Sequence, residues 1–254
     1  MLLAIDIGNT NIAFGVFEGE TLRGTWNVAT DLNKTTDEYA VLLSNLLSRE
    51  GLTLSDIDHV AIACVVPPLE PTFEDLSRRY LGTSPLVVGP GVKTGVRICL
   101  DNPHELGADR VANAVAGHRL YGGPLIVIDC GTATTVDAIS EEGDYLGGAI
   151  APGIGIAAEA LFQRASKLPR IELIPPEHAI GRNTITAMQS GIMFGYVGLI
   201  EGLVARIRRE LGGKARVVAT GGLSRVIAKE TQVVDIVNPH LTLIGLRLVH
   251  EMNR

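Results

Sequence analysis

LLAIDIGNTN at positions 2–11 and LIVIDCGTATT at positions 125–135 share one grammar: an apolar run ends in Asp-x-Gly and passes at once into small hydroxyl or amide side chains. The first is followed by residues 12–17, a turn at Glu18, Gly19 and Glu20, and a strand-like stretch through Trp26. The second is followed by residues 136–139, a turn at 141–144, and residues 145–150. Each reads as strand, tight loop and hairpin. Asp6 and Asp129 stand close to half the chain apart, so the spacing predicts an internal duplication. The expected fold is α/β, with two like lobes facing each other across a ligand cleft and a central mixed sheet in each. We expect an N-terminal lobe over 1–120 and a C-terminal lobe over 121–254.

A third turn of the same flavour comes late, where the run 216–219 breaks at Thr220, Gly221 and Gly222. Between these runs lie helical patterns. Residues 37–49 carry Tyr39, Leu42, Leu43, Leu46 and Leu47 at helical spacing, and 105–120 and 187–211 fit the same period. The last long helix, near 186–210, is apolar over much of its circumference and carries Gly191, Gly195 and Gly198. An apolar circumference predicts burial, either in the core or against a second copy, since small residues let another helix approach closely.

Composition narrows the class. The chain has 254 residues, 46% apolar and 20% charged, the balance of a folded globular protein. Residues 1–5 are apolar but reach Asp6 at once, without the basic start or length of a secretory signal. No eighteen apolar residues run unbroken, so no membrane span is expected. Cys64, Cys99 and Cys130 are odd in number and form no CxxC pair, which fits a reducing compartment and a cytoplasmic location. The net charge is −6, and the run RIRR with Arg206, Arg208 and Arg209 falls on a helical pattern. Nucleic acid is not an expected partner. His59, His104, His118, His178, His240 and His250 show no metal-ligand spacing, and Trp26 reads as a packing residue.

The two Asp-x-Gly loops carry the chemistry. Glycine lets backbone approach a phosphate, and the side chains of Asn9 and Thr10 can donate to phosphate oxygens. The Asp6 carboxylate would repel phosphate; its natural work is to hold Mg²⁺, directly or through water. Standing alone, such a motif is also ordinary turn chemistry. Asp129, Gly131, Thr132, Thr134 and Thr135 supply a second loop at the equivalent place. A GxxxxGK[ST] sequence is missing, so a P-loop kinase is not the reading.

First phosphate loop, second phosphate loop and a Thr-Gly-Gly turn, in that order, resemble the superfamily of actin, sugar kinases and heat-shock chaperone ATPases. That resemblance implies ribonuclease-H-like or actin-like lobes with ATP bound in the cleft. Over essentially its full length the chain looks like the type III pantothenate kinases. The residues that carry the likeness are DIGNTN at 6–11, DNPHELGADRVAN at 101–113, DCGTATT at 129–135, GGAIAPG at 147–153, GRNT at 181–184 and ATGG at 219–222.

The resemblance implies ATP-dependent phosphorylation of pantothenate to 4′-phosphopantothenate, the first step of coenzyme A biosynthesis, in a homodimer. It implies that Asp109 is the general base and that Gly107, Ala108, Asp109, Arg110 and Thr184 contact pantothenate. Leu100 stands where many relatives carry an aromatic residue, so the acceptor pocket is expected to be lined differently. The same resemblance assigns Asp6, Ile7, Gly8, Asn9, Thr10, Asn11, Ile12, Ala13 and Thr132 to ATP, and Asp6 to Mg²⁺. Asp129 matches the site of a monovalent cation, K⁺ or NH₄⁺, and as a carboxylate it also suits a place in the second shell of Mg²⁺.

Each of these residues has a plainer use. Asp109 suits the first turn of a helix, Arg110 a surface ion pair, and Asn183 and Thr184 the cap of the long helix. The alternatives to a pantothenate kinase are another small-molecule kinase of the superfamily and a non-catalytic regulatory ATP-binding protein. The GADR block and the absence of long inserted segments count against the first. Three carboxylates beside phosphate-type loops count against the second.

Overall fold

The structure is a computed structural model and describes residues 1–254. In chain order the first elements are β1 (Leu2–Ile7), β2 (Asn11–Glu18), β3 (Thr21–Ala29), α1 (Thr36–Ser48), β4 (His59–Cys64), α2 (Glu70–Tyr80) and β5 (Leu86–Val87). There follow α3 (Ala108–Tyr121), β6 (Leu125–Cys130), β7 (Ala133–Ile139), β8 (Tyr145–Pro152) and α4 (Ile154–Arg164). The chain ends with α5 (Thr184–Glu210), β9 (Arg216–Thr220), α6 (Ser224–Ile227), β10 (Ile236–Val237) and α7 (Leu241–Met252).

Two compact units emerge. One comprises Met1–Gly95, Asn102–Ala116 and Leu241–Arg254; the other comprises Val96–Asp101 and Gly117–His240. The lobes expected at 1–120 and 121–254 put α7 in the second lobe, whereas the structure puts it in the first. Packing is the reason: Leu243 lies against Gly15 of β2, and Arg247 sits over the ring of Phe17.

In the first unit, β1 is apolar on both faces except at Asp6, and a strand covered on both faces belongs inside a sheet. It pairs antiparallel with β2 and parallel with β4, giving the order β3-β2-β1-β4-β5. The core beside it gathers Ile5, Ile7, Phe14, Tyr39, Leu43 and Phe73, each contributing about 1.5–3 kcal/mol by leaving water. Helix α1 turns Tyr39, Ala40, Leu43 and Leu47 onto this core and begins at a capping box between Thr35 and Glu38.

The second unit repeats the plan strand for strand. β6 pairs antiparallel with β7 and parallel with β9, in the order β10-β9-β6-β7-β8. Its core gathers Ile128, Val136, Met193, Tyr196, Ile200 and Val217. The duplication legible in the two Asp-x-Gly runs is therefore present as two mixed five-stranded sheets of one topology.

Helix α5 departs from the expectation of burial all round. Met188, Met193, Tyr196, Val197, Ile200 and Val204 are buried, while Gly191, Gly195 and Gly198 are exposed. By length and composition it is apolar enough to cross a membrane, with mean hydropathy 1.4 over its most apolar stretch, a third of which is buried within the protein. It holds no unbroken run of eighteen apolar residues, because Gln189, Ser190 and Glu201 interrupt them. One face of α5 fills the second core and the glycine face does not.

Candidate active site

Residues 6–13 and 107–110 lie at the carboxyl ends of the first unit's parallel strands, the usual place for ligands on an α/β sheet. Asp6 is the last residue but one of β1, facing Ala13 on one side and Ala63 on the other. Gly8, Asn9 and Thr10 then turn the chain into β2; the Gly8 amide donates to the Asn11 carbonyl at 3.0 Å, and Asn9, Thr10 and Asn11 are exposed. Ile7 and Ile12 are wholly buried and anchor the two ends of the loop.

The GADR segment reaches the same strand ends. Val65, just past β4, donates its amide to the Ile7 carbonyl at 3.1 Å. A Cβ on Gly107 would meet Val65 Cγ1 at 3.4 Å and Asp109 Oδ1 at 2.5 Å. Residues 6–13 and 107–110 are thus brought together through Val65. Asp109 lies in the first turn of α3, and its Oδ1 accepts the Arg110 amide at 2.8 Å. A carboxylate there suits the helix dipole.

Helix α3 is held in place by α7. Thr242 donates its hydroxyl to Asn113 Oδ1 at 2.8 Å, both residues being buried, and Gly245 packs directly on the Ala112 carbonyl. The C-terminal helix therefore fixes the base of the helix that carries Asp109, a role that no motif in residues 241–254 signals.

In the second unit the same strand ends carry Asp129, Thr132 and the Thr-Gly-Gly turn. Asp129 is paired with Thr135 and Thr220, and Gly131 donates its amide to the Ala133 carbonyl at 3.1 Å. Gly221 has φ +87°, and a Cβ there would lie 2.5 Å from Asp129 Oδ1 and 2.7 Å from the Cys130 backbone. Only glycine fits this turn against the loop. Burial, and secondarily the Asp129 charge, pushes the Cys130 thiol up to about 12.

Leu100 and Thr184 also belong to the second unit, whereas Gly107, Ala108, Asp109 and Arg110 belong to the first. Leu100 follows a short parallel pairing with β8, in which the Cys99 amide donates to the Tyr145 carbonyl at 2.8 Å, and it neighbours Gly147. Thr184 is the first residue of α5 and is exposed; the cap is Asn183, whose Oδ1 accepts the Thr186 amide at 2.9 Å.

No group of three or more His, Cys, Asp or Glu side chains is placed to hold a metal. Each loop instead carries a single carboxylate, the donor set of a hard cation that takes most of its oxygens from phosphates and water.

Sheets of this order, each with an Asp-x-Gly hairpin loop, give the chain the two-lobed actin-like fold. A protein of Campylobacter jejuni described as a Baf family transcriptional activator superposes with TM-score 0.65 at 20% identity, over 99% of this chain and 98% of that one. The inorganic polyphosphate/ATP-glucomannokinase of Arthrobacter sp. strain KM superposes at 0.52 with 15% identity, over 100% and 99%. Within that class the sequence is decisive: the chain belongs to the type III pantothenate kinase family. The model described as type III pantothenate kinase matches residues 2–206. The type III pantothenate kinase of Moorella thermoacetica is 56% identical over 253 residues, covering 100% of both chains. The chain is accordingly a kinase.

Proposed function

We propose that this chain transfers the γ-phosphoryl group of ATP to the primary hydroxyl of pantothenate, forming 4′-phosphopantothenate and ADP at the entry to coenzyme A biosynthesis. The observation that carries the residue roles is the meeting of Asp109 and the 6–13 loop at one end of one sheet, through Ile7, Val65 and Gly107. A phosphoryl acceptor needs a carboxylate beside the phosphate-binding backbone, and little else from the protein but positioning and charge.

In this reading residues 6–13 and Thr132 bind the nucleotide, with exposed amides and hydroxyls directed at phosphate oxygens. Asp109 accepts the proton of the acceptor hydroxyl as the new O–P bond forms and the bond to the β–γ bridging oxygen breaks. Arg110 pairs with the pantothenate carboxylate or the charge of the transition state, and the backbone at Gly107 and Ala108 lines the acceptor. Thr184 and Leu100 complete the acceptor contacts. Mg²⁺ at Asp6 and K⁺ or NH₄⁺ at Asp129 would neutralise phosphate charge when bound.

Two further readings go with this. The chain works in the cytoplasm, and it works as a homodimer, the latter supported by the exposed glycine face of α5, by exposed Ile185 on the same helix, and by exposed Ile156, Leu161 and Phe162 on α4, which packs against it. Such a face suits close approach by a second helix, with no nucleic acid or membrane as partner. Incubation with ATP, Mg²⁺ and pantothenate, with and without K⁺, followed by mass spectrometry, tests the reaction. Formation of 4′-phosphopantothenate is the expected result; bound ATP without transfer would overturn the acceptor assignment.

A further inference from the structure

We propose that Thr30 is the positioning residue of the first phosphate loop, holding residues 8–10 in the shape that receives the nucleotide. The inference rests on the nucleotide reading of residues 6–13 and deepens it. Thr30 follows β3 and makes two bonds to the loop. Its Oγ1 donates to the Gly8 carbonyl at 2.6 Å, and its amide donates to the Thr10 carbonyl at 2.9 Å.

The direction of these bonds matters. In a trans peptide the C=O and the following N–H point in opposite directions. Tying the Gly8 carbonyl to Thr30 therefore turns the Asn9 amide away from Thr30, on the exposed loop where an anion would be received. Without the hydroxyl, the Gly8 carbonyl loses this tether and the Asn9 amide is less firmly aimed.

Thr30 is itself braced from the core. The next residue, Asp31, donates its amide to Tyr39 Oη at 3.2 Å, and the Tyr39 hydroxyl donates to the Asp31 carbonyl at 2.9 Å. Tyr39 is 0% exposed, with its ring 4.8 Å from that of Phe73. A strut thus runs from the first core through Tyr39 and Asp31 to Thr30 and the loop.

The second unit repeats the device at the equivalent place. Gly153 follows β8 as Thr30 follows β3, and its amide donates to the Thr132 carbonyl at 3.0 Å. The residue before it is braced from the core, because the Pro152 carbonyl accepts the Tyr196 hydroxyl at 2.6 Å. A Cβ on Gly153 would collide with the carbonyls of Thr132 and Gly131, so only the backbone bond is available there. The residue after the third strand of each duplicated meander is therefore a loop holder, and at position 30 the side chain adds a second bond.

Calorimetric titration of ATP into wild type, Thr30→Val and Thr30→Ser tests this, followed by steady-state kinetics with ATP and pantothenate varied separately. Thr30→Val is expected to bind ATP roughly three- to tenfold more weakly, the size of one lost intramolecular hydrogen bond. Thr30→Ser keeps the hydroxyl and is expected to stay within about twofold of wild type, and the KM for pantothenate is expected to stay unchanged in both. Should Thr30→Val fail to fold, Thr30→Ala carries the same expectation. Undiminished ATP binding in Thr30→Val, or an equal loss in Thr30→Ser, would overturn the proposal. A wild type that binds ATP but leaves pantothenate untouched would sink the acceptor reading alone, because the titration needs no acceptor. A wild type that does not bind ATP would overturn both.

Discussion

Gly221 is pressed against Asp129: a Cβ on the glycine would lie 2.5 Å from the carboxylate Oδ1. The turn that ends β9 and the loop that ends β6 are thereby one surface, although more than eighty residues of chain separate them. At φ +87° the position is also strained for any other residue. Gly221→Ala is expected to cost about 1–3 kcal/mol of stability and to weaken ATP binding by at least about tenfold. Gly222→Ala, with nothing within 4 Å of its Cβ, is expected to leave the melting temperature unchanged. Thermal unfolding and ATP titration of the two variants check this; equal behaviour would contradict it.

Asn183 and Thr184 separate two uses that the sequence leaves entangled. Asn183 caps α5 and Thr184 does not, so Asn183→Ala is expected to lower stability by about 1 kcal/mol. Thr184→Ala is expected to leave stability within about 0.5 kcal/mol and to raise the KM for pantothenate. Denaturant unfolding beside acceptor kinetics would show the split, and a stability loss in Thr184→Ala alone would reverse it.

His250 gives the first unit an acid-sensitive seam. Burial first, then the nearby His59 and Arg254, holds its pKa below the ordinary 6.5, with Glu251 opposing. Its ring centroid is 4.9 Å from that of His59 at the start of β4. A base whose folded pKa is depressed stabilises the fold above its unfolded pKa and loses that contribution as pH falls through the folded value. His240, lowered by burial and then by Arg225, adds in the same sense. The melting temperature is expected to fall between about pH 7 and pH 5, and less steeply in His250→Phe. Parallel curves for the two proteins would contradict the assignment.

The cysteines should separate by burial. Cys99 is exposed, Cys64 is half-buried and Cys130 is buried beside Asp129. The thiolate is the reactive form, so at about pH 8 Cys99 is expected to react first and Cys130 only on unfolding. A Cys130 pKa raised from 9.0 to about 12 stabilises the fold below the unfolded value, and that contribution is lost across this alkaline window. Pulse labelling read by mass spectrometry checks the order, and early labelling of Cys130 would contradict it.

Much of this architecture was legible because its signals are local. The Asp-x-Gly runs mark the ends of β1 and β6 by a change from apolar to hydroxyl side chains, and strand pairing follows from the hairpin turns at Gly19 and Gly143. What escaped depends on distant contacts. The return of α7 to the first unit follows from Leu243 meeting Gly15 and Gly245 meeting Ala112, which no pattern within 241–252 announces. The one-sided burial of α5 escaped because exposed glycines and buried methionines look equally apolar in a window. Thr30 escaped because a lone threonine after a strand carries no motif. Gly153 lies inside a recognisable block, yet its reason, the approach of two carbonyls, is visible only in three dimensions.

The most direct test of the central claim is phosphoryl transfer from ATP to pantothenate by wild type and Asp109→Asn, each saturated with ATP, Mg²⁺ and K⁺. The amide keeps an oxygen to accept the Arg110 N–H, so the variant is expected to fold and to bind ATP as the wild type does. Its kcat is expected to fall by about 10²–10⁴, the usual contribution of a positioned general base. A wild type that forms 4′-phosphopantothenate and a variant that barely does so would bear out both the reaction and the base. A variant that turns over at the wild-type rate would contradict the assignment of Asp109, and a wild type that transfers nothing to pantothenate would contradict the reaction itself.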